Sequence, residues 1–187
     1  MLHFPCISPN NNMKNNTVAF VFIIAVFVLS GYGQTGSPFT SKEGRFSIVA
    51  PTGFDKLEFS KDDSRPALII YKYSLALDRG GCFIGYYDVR EELVQTKGAK
   101  KLLEDVMEGV LNGTKASLDG LEDVTLDGYP GLLYTIRTTQ GDPVTHVRTE
   151  YILVNTRLYF LQFMSTDRSE LTRPDVSAFF KSFKVQK

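Results

Sequence analysis

The sequence has 187 residues, of which 43% are hydrophobic and 22% are charged. This length and composition predict one globular domain with a well-buried core, and they exclude a largely disordered chain. The 21 basic and 21 acidic residues give a net charge of zero, so the clustered positive charge that nucleic-acid binding requires is not expected.

The first 33 residues have the pattern of a secretory signal. An uncharged apolar run extends over residues 17–29, follows Lys14 and precedes the small residues Gly31 and Gly33. A positive region, an apolar region and a small-residue end, in that order, make up a signal peptide. We therefore expect export to the periplasm or the medium, with cleavage near Gly33.

Two features of this leader leave alternatives open. Met13 is followed by Lys14 and two asparagines, which is the more natural start of a signal peptide and would make residues 1–12 a gene-start artefact. The apolar run falls short of the roughly 20 residues of a membrane-spanning helix, although its length is marginal by this criterion. An uncleaved leader that anchors the protein in the membrane is therefore the alternative to cleavage, and it is the only membrane contact we expect.

After a polar lead-in at residues 34–40, the pattern of residues 41–187 predicts a single α+β domain. Turn-forming residues separate short runs rich in β-branched and aromatic residues, which is typical of strands. Short connections between these runs require antiparallel neighbours, including a hairpin across 140–143. The predicted strands lie at 46–50, 57–59, 67–75, 82–89, 121–126, 132–138, 144–154 and 157–164.

Two segments carry apolar residues at helical spacing. The segment 96–111 is predicted to form one amphipathic helix that ends at Asn112 and Gly113, preceded by a solvated loop with charged residues at 88–92. The segment 174–183 is predicted to form a helix that lays an aromatic stripe on the sheet. Helices packed on an antiparallel sheet make an α+β sandwich.

Three motifs resemble those of the PsbP/Mog1-like group and of related bacterial secreted proteins. They are SKEGRFSI at 41–48, LDGYPG at 126–131 and FFKSF at 179–183. The resemblance covers about residues 39–185. It implies an α/β/α sandwich on a central antiparallel sheet, and members that act as binding or assembly modules rather than enzymes. Because these motifs consist of turn and packing residues, they transfer no functional site to this chain.

Residues that usually carry catalysis or bind metals are sparse beyond the leader. That part of the chain holds one histidine, His146, and one cysteine, Cys82, and it lacks a G-x-S-x-G motif and a phosphate-binding loop. A zinc site needs three or four such ligands. Cys82 begins an apolar run and is predicted to be a buried small hydrophobic residue. No catalytic residue, metal site or cofactor is therefore predicted.

The best candidate for a functional surface is the part of the last-but-one predicted strand at 145–152. By alternation, His146, Arg148 and Glu150 share one face of the sheet, and Arg137 of the neighbouring strand joins them. A face with these charges could bind an anionic ligand or a partner protein. The favoured interpretation is a solvated face with weak cross-strand ion pairs, because half-polar antiparallel strands are the rule.

These patterns together predict an exported, non-catalytic domain that binds or helps to assemble an unknown protein partner. The alternative is a small-ligand binder, or an enzyme whose carboxylate pair leaves no motif, with its site between helix and sheet. A pocket with convergent titratable groups would favour this alternative.

Overall fold

The computed structural model describes residues 38–51, 57–65, 68–138 and 143–186. Pairing between strands that are distant in the sequence organises this part of the chain. The predicted signal peptide at 1–33 lies outside the described residues, together with its cleavage position, its alternative start and its possible role as an anchor. Most of the lead-in at 34–40 and most of the predicted hairpin connection at 140–143 also lie outside them.

Ten strands and three α-helices lie in the described residues. The strands are β1 Phe39–Ser41, β2 Phe46–Ile48, β3 Glu58–Arg65, β4 Leu68–Leu77, β5 Gly80–Asp88, β6 Ser117–Leu126, β7 Tyr129–Thr138, β8 Thr145–Val154, β9 Arg157–Ser165 and β10 Lys184–Val185. The helices are α1 Glu91–Lys97, α2 Ala99–Thr114 and α3 Pro174–Lys181, and a short 3-10 helix covers Arg168–Thr172. Strand β1 therefore begins within the segment predicted as lead-in.

Seven strands form the main sheet, in the order β3-β4-β5-β9-β8-β7-β6. Every neighbouring pair is antiparallel, which confirms the predicted antiparallel sheet. The turns before β7 and β9 contain Asp127 and Asn155 with φ of 51° and 55°, the left-handed backbone of tight hairpins. Strand β5 pairs with β9, so the chain completes α1, α2 and β6–β8 before it returns to the centre of the sheet.

Helices cover both faces of this sheet, as predicted. Helix α2 packs on β7 and β8, where Leu102, Leu103 and Met107 join a cluster with Tyr134 and Tyr151. Helix α3 lies on the opposite face, which we call the α3 face. Its aromatic stripe packs into a second cluster built mainly on β4, β5 and β9. The α+β sandwich is therefore confirmed.

A second, three-stranded sheet in the order β1-β2-β10 was not predicted. Its central strand carries Phe46, which is fully buried and makes edge contacts with the rings of Tyr73, Tyr86 and Tyr159. This small sheet extends the layer formed by α3. The layer covers the middle of the α3 face and leaves two ends less covered, since Phe59 on β3 and Arg137 on β7 are exposed.

The predicted single helix at 96–111 is wrong in its limits. The chain forms two helices that meet at Gly98, whose φ of 73° interrupts the helical backbone. Glu91 and Glu92 form the first turn of α1 rather than a loop, where acidic side chains are favoured by the helix dipole. Helix α2 continues through Asn112 and Gly113 and ends at Thr114, where Lys115 caps it in the left-handed conformation. Asparagine and glycine destabilise a helix only modestly, so the packing of α2 on the sheet can outweigh their free-energy cost.

Two edge strands are longer than predicted. Strand β3 continues through the charged residues 61–63 that were expected to end it, and β6 begins at Ser117 rather than at 121. Both strands lie at the edges of the main sheet. Charged residues are tolerated there, because an edge strand need not bury both faces and charges protect it from pairing with other chains.

Candidate functional site

The four predicted site residues lie together on the α3 face. Strand register places His146 opposite Arg137 of β7, Arg148 opposite Thr135, and Glu150 opposite Leu133. The intervening residues Val147 and Tyr151 are buried under α2 on the other face. The predicted alternation is thus confirmed, while the predicted binding role stays a prediction. We call this group the polar shelf, which consists of Glu122, Thr135, Arg137, His146, Arg148 and Glu150.

Arg148 is held in place by the helical layer rather than solvated freely. Its guanidinium carbon lies 4.5 Å from the centre of the Phe180 ring on α3, and its Nη1 donates a hydrogen bond to the carbonyl oxygen of Leu171 at 3.4 Å. Burial lowers the pKa of Arg148, and the nearby carboxylates of Glu150 and Glu122 oppose that change. The side chain therefore presents a half-buried cation in a fixed orientation.

Glu150 is the acidic counterpart of Arg148 on the polar shelf. The pKa of Glu150 is raised, mainly because burial disfavours the charged carboxylate. The positive charge of Arg148 opposes this shift, and the negative charge of Glu122 adds to it. Within the described ranges, neither Arg148 nor Glu150 forms an ion pair with any other side chain. The two charges attract each other without direct contact. Some N–H donors of Arg148 and the carboxylate oxygens of Glu150 have no side-chain partner among the described residues, which is uncommon for partly buried ionic groups.

His146 adds an unsatisfied nitrogen to the shelf. Its Nδ1 is buried and finds no hydrogen-bond partner among the described residues. Its strand neighbour on β9 is Ser165, and its neighbour on β7 is Arg137. Buried polar atoms usually have a partner in the folded protein or in bound solvent, so this nitrogen is available to a hydrogen-bonding group that reaches the shelf.

A cluster of charged residues beside the shelf was missed by the sequence analysis. Glu170 is only 5% exposed and forms ion pairs with Arg79 at 3.3 Å and Arg173 at 2.5 Å. Arg173 also donates to Asp175 in the first turn of α3. The cluster links the 3-10 helix to α3 and so positions Leu171 and the start of the helix that carries Phe180. Arg79 and Glu170 are far apart in the sequence, so no local motif could reveal the pair.

Cys82 is buried in the cluster under α3, as predicted. Burial raises the pKa of the Cys82 thiol to about 12. A thiol with this pKa is almost fully protonated near neutral pH, and only the thiolate is a good nucleophile or metal ligand. The environment therefore disfavours Cys82 as a reactive group.

We expect the Cys82 thiol to resist alkylation in the folded protein at pH 8 and to react promptly once the protein is unfolded in urea. The reason is that burial both excludes the reagent and keeps the thiol protonated. Mass spectrometry after iodoacetamide treatment, in a Cys6→Ser background, measures this difference. Rapid labelling of the folded protein would contradict it.

The described ranges contain no group of three or more His, Cys, Asp or Glu side chains arranged to hold a metal ion. Among the helices of the described residues, none has the length and apolar character needed to cross a membrane. The chemistry that the polar shelf itself offers is hydrogen bonding and charge pairing, through two guanidinium groups, two carboxylates, one imidazole and one hydroxyl.

No family model and no curated protein matches the sequence. Among solved structures, the cyanobacterial PsbP (CyanoP) of Synechocystis is 14% identical with a TM-score of 0.57, and the match covers 80% of this chain and 91% of that one. LpqN of Mycobacterium tuberculosis, described as involved in cell envelope biogenesis, is 12% identical over 83% of this chain and 88% of that one, with a TM-score of 0.42.

A protein from Bacteroides thetaiotaomicron is 10% identical over 81% of this chain and 49% of that one, with a TM-score of 0.46. At these identities the likeness concerns the fold alone. The antiparallel sheet, the helical layers on both faces and this likeness agree with the motifs at 41–48, 126–131 and 179–183. The chain therefore has a fold of the PsbP/Mog1-like group.

Proposed function

We propose that this domain acts outside the cytoplasm as a non-catalytic module that binds a protein partner on the polar shelf. The observation that carries the proposal is the pair Arg148 and Glu150, which are partly buried and without ion pairs among the described residues. The contact with Phe180 also fixes the orientation of Arg148. A PsbP-like fold is compatible with such a role. The motifs that define this fold are turn and packing residues, so surface residues can differ between proteins of the fold and bind different partners.

The shelf has the properties of the centre of a protein interface. An arginine whose guanidinium is already fixed against Phe180 loses little side-chain entropy when a partner binds. Arginine is also among the residue types that contribute most at interfaces. A partner that places a carboxylate near Arg148 and a donor near Glu150 would satisfy both charges at once, and the opposite signs would fix its orientation.

A small anionic ligand is the second candidate for the same surface. The buried Nδ1 of His146 and the raised pKa of Glu150 favour it, since perturbed and unsatisfied groups gather at ligand sites. The acidic neighbours Glu150 and Glu122 oppose an anion, however, and a partner protein can present both charge signs. We therefore favour the protein partner.

Export is the second part of the proposal. It is supported by the sequence pattern of residues 1–33, in which Lys14, the apolar run and the terminal glycines follow the order of a signal peptide. An exported domain meets its partner in the periplasm, at the cell surface or in the medium. The partner should therefore be sought there rather than in the cytosol.

The test is capture of the partner from the exported fraction with a photo-crosslinking residue at Thr135, in the middle of the shelf. Arg148→Ala is expected to weaken partner binding by about thirtyfold, because truncation of a central interface arginine has an effect of this order. Arg148→Lys should recover only part of the affinity, because lysine keeps the charge but not the planar fork. The intact mass of the exported protein shows whether the leader has been removed.

Two controls make this test specific. Lys101→Ala removes an exposed cation from α2 on the opposite face, and a crosslinker at Glu108 on the same helix samples that face. Neither change should affect the captured partner. If Arg148→Ala retains the affinity of the unsubstituted protein, or if capture depends on Glu108 instead of Thr135, the shelf is not the partner surface. Binding of an anionic metabolite without any crosslinked protein would favour the second candidate.

A further inference from the structure

Strand β6 ends the main sheet beside the polar shelf, and its outer side is open. Among the described strands, only β7 pairs with it. The backbone N–H and C=O groups that point away from β7 therefore form an unpaired row, which can pair with a strand of another chain. The first seven residues of β6, at 117–123, are exposed. The edge is thus accessible over this length.

The edge is also a regular template over most of its length. A β-bulge interrupts the pairing with β7 just before Gly120, and the register is then continuous from Gly120 to Leu126. Val124 and Leu126 pack against the core cluster under α3, which anchors this part of the strand in the domain. A template that is already ordered loses little entropy when a strand is added to it.

Acidic residues set the charge of this edge. Strand β6 contains Asp119, Glu122 and Asp123 and no basic residue. Asp123 pairs with Lys100 of α2, whereas Asp119 and Glu122 form no ion pair among the described residues. Like charges opposite each other destabilise a strand pair, and opposite charges stabilise it. The edge therefore disfavours pairing with a second copy of β6 and favours an incoming strand with basic residues.

The other edge of the main sheet lacks this selectivity. Strand β3 carries charges of both signs, and its Lys61 and Asp63 form an ion pair with each other. Its register against β4 shifts between Asp62 and Arg65, so its regular part, at 58–62, is shorter than that of β6. Strand β6 thus offers the longer template, with a single sign of charge.

The two faces of β6 specify the side chains of the incoming strand. Strand register places Glu122 in one row with Leu133 of β7 and Glu150 of β8, so Glu122 lies on the shelf side. Leu121 lies on the opposite side and is 51% exposed. A segment in which basic and apolar residues alternate would place a cation opposite Glu122 and an apolar side chain beside Leu121.

We propose that the partner of the polar shelf contributes an extended segment of alternating basic and apolar residues, which pairs with β6 as a further strand of the main sheet. Glu122 belongs to both β6 and the shelf, so one partner can contact the two surfaces without a gap. In this mode of recognition, main-chain hydrogen bonds supply affinity and alternate side chains supply specificity. The inference rests on the proposed function, but binding of a short peptide to β6 can be measured without the shelf partner.

Titration with a capped hexapeptide of alternating valine and lysine, followed by amide resonances in NMR spectra, tests the proposal. We expect saturable binding that shifts the amide signals of residues 120–126. Hydrogen exchange should slow at those amides that point away from β7, because new hydrogen bonds protect them. A capped hexapeptide of alternating valine and glutamate should bind at least about tenfold more weakly, because it has the opposite charge. Equal affinities, no saturation by the lysine peptide, or saturation without changes in β6 would overturn the proposal.

A charge reversal at Glu122 tests the pairing directly. Glu122→Lys should weaken binding of the lysine peptide and strengthen binding of the glutamate peptide, each by between about twofold and thirtyfold. The reason is that one cross-strand attraction becomes a repulsion for the first peptide, and the reverse holds for the second. A loss of both affinities, or a change in neither, would refute the assignment.

Glu58→Lys is the matched control, because it reverses an exposed charge on the opposite edge strand, β3. It should change neither peptide affinity by more than about twofold. If the lysine peptide does not bind while Arg148→Ala still weakens partner capture, the added strand is refuted and the polar shelf stands. If the lysine peptide binds at β6 while Arg148→Ala leaves capture unchanged, the open edge is supported and the shelf is refuted.

Discussion

Replacement of Phe179 by alanine is expected to lower the free energy of unfolding by about 3–5 kcal/mol, the usual range for a buried phenylalanine. Phe179 is 1% exposed and lies in the core cluster between α3 and the sheet. Its ring contacts that of Phe180 edge-on at 5.3 Å and 80°. Helix α3 has only eight residues, so it depends on such packing rather than on its own helix propensity.

Urea unfolding followed by circular dichroism measures this loss. Lys181→Ala is the matched control, because it shortens an exposed side chain at the end of the same helix and should change stability by less than about 0.5 kcal/mol. A loss below about 1 kcal/mol for Phe179→Ala would mean that α3 does not hold the core as described. The same variant should also loosen the contact between Arg148 and Phe180, because both aromatic residues sit on this short helix.

Replacement of Gly80 by alanine is expected to lower the free energy of unfolding by about 3 kcal/mol, which combines backbone strain with overpacking. Gly80 has a φ of 147°, a conformation that favours glycine. An added Cβ would lie 2.2 Å from the main-chain oxygen of Met164. That oxygen belongs to β9, which pairs on both sides in the sheet, so it cannot move without disturbing two strand pairs.

Gly128→Ala separates the two contributions. Gly128 also has a positive φ, of 85°, but an added Cβ there meets nothing within 4 Å among the described residues. This control should lose only about 1 kcal/mol, the cost of the left-handed backbone alone. Chemical denaturation of both variants gives the comparison. Equal losses at the two positions would show that contact with Met164 does not contribute.

The polar shelf follows from the limited extent of one layer. Helix α3 and the small sheet cover the middle strands of the main sheet, whereas the β7 end of the same face is less covered. The half-buried charges of Arg148 and Glu150 lie at the border of the covered part.

Local periodicity was sufficient to predict several elements. The period of two in β8 places His146, Arg148 and Glu150 on one face, and the helical spacing of Val176, Phe179 and Phe180 buries that side of α3. These patterns can be read from neighbouring residues, because burial of one face imposes a fixed spacing on a strand or helix. Turn and packing motifs also carried the resemblance to the PsbP/Mog1-like group.

The sequence by itself thus determined the class of the fold and the face on which the charged residues of β8 lie. Only the tertiary structure decided that α3 would cover part of that face and hold Arg148 against Phe180. It also decided that Phe46 of the small sheet would contact rings from β4, β5 and β9. The physical reason is that spacing along the chain reports burial of one element, whereas a site between elements depends on strand order and register over long separations.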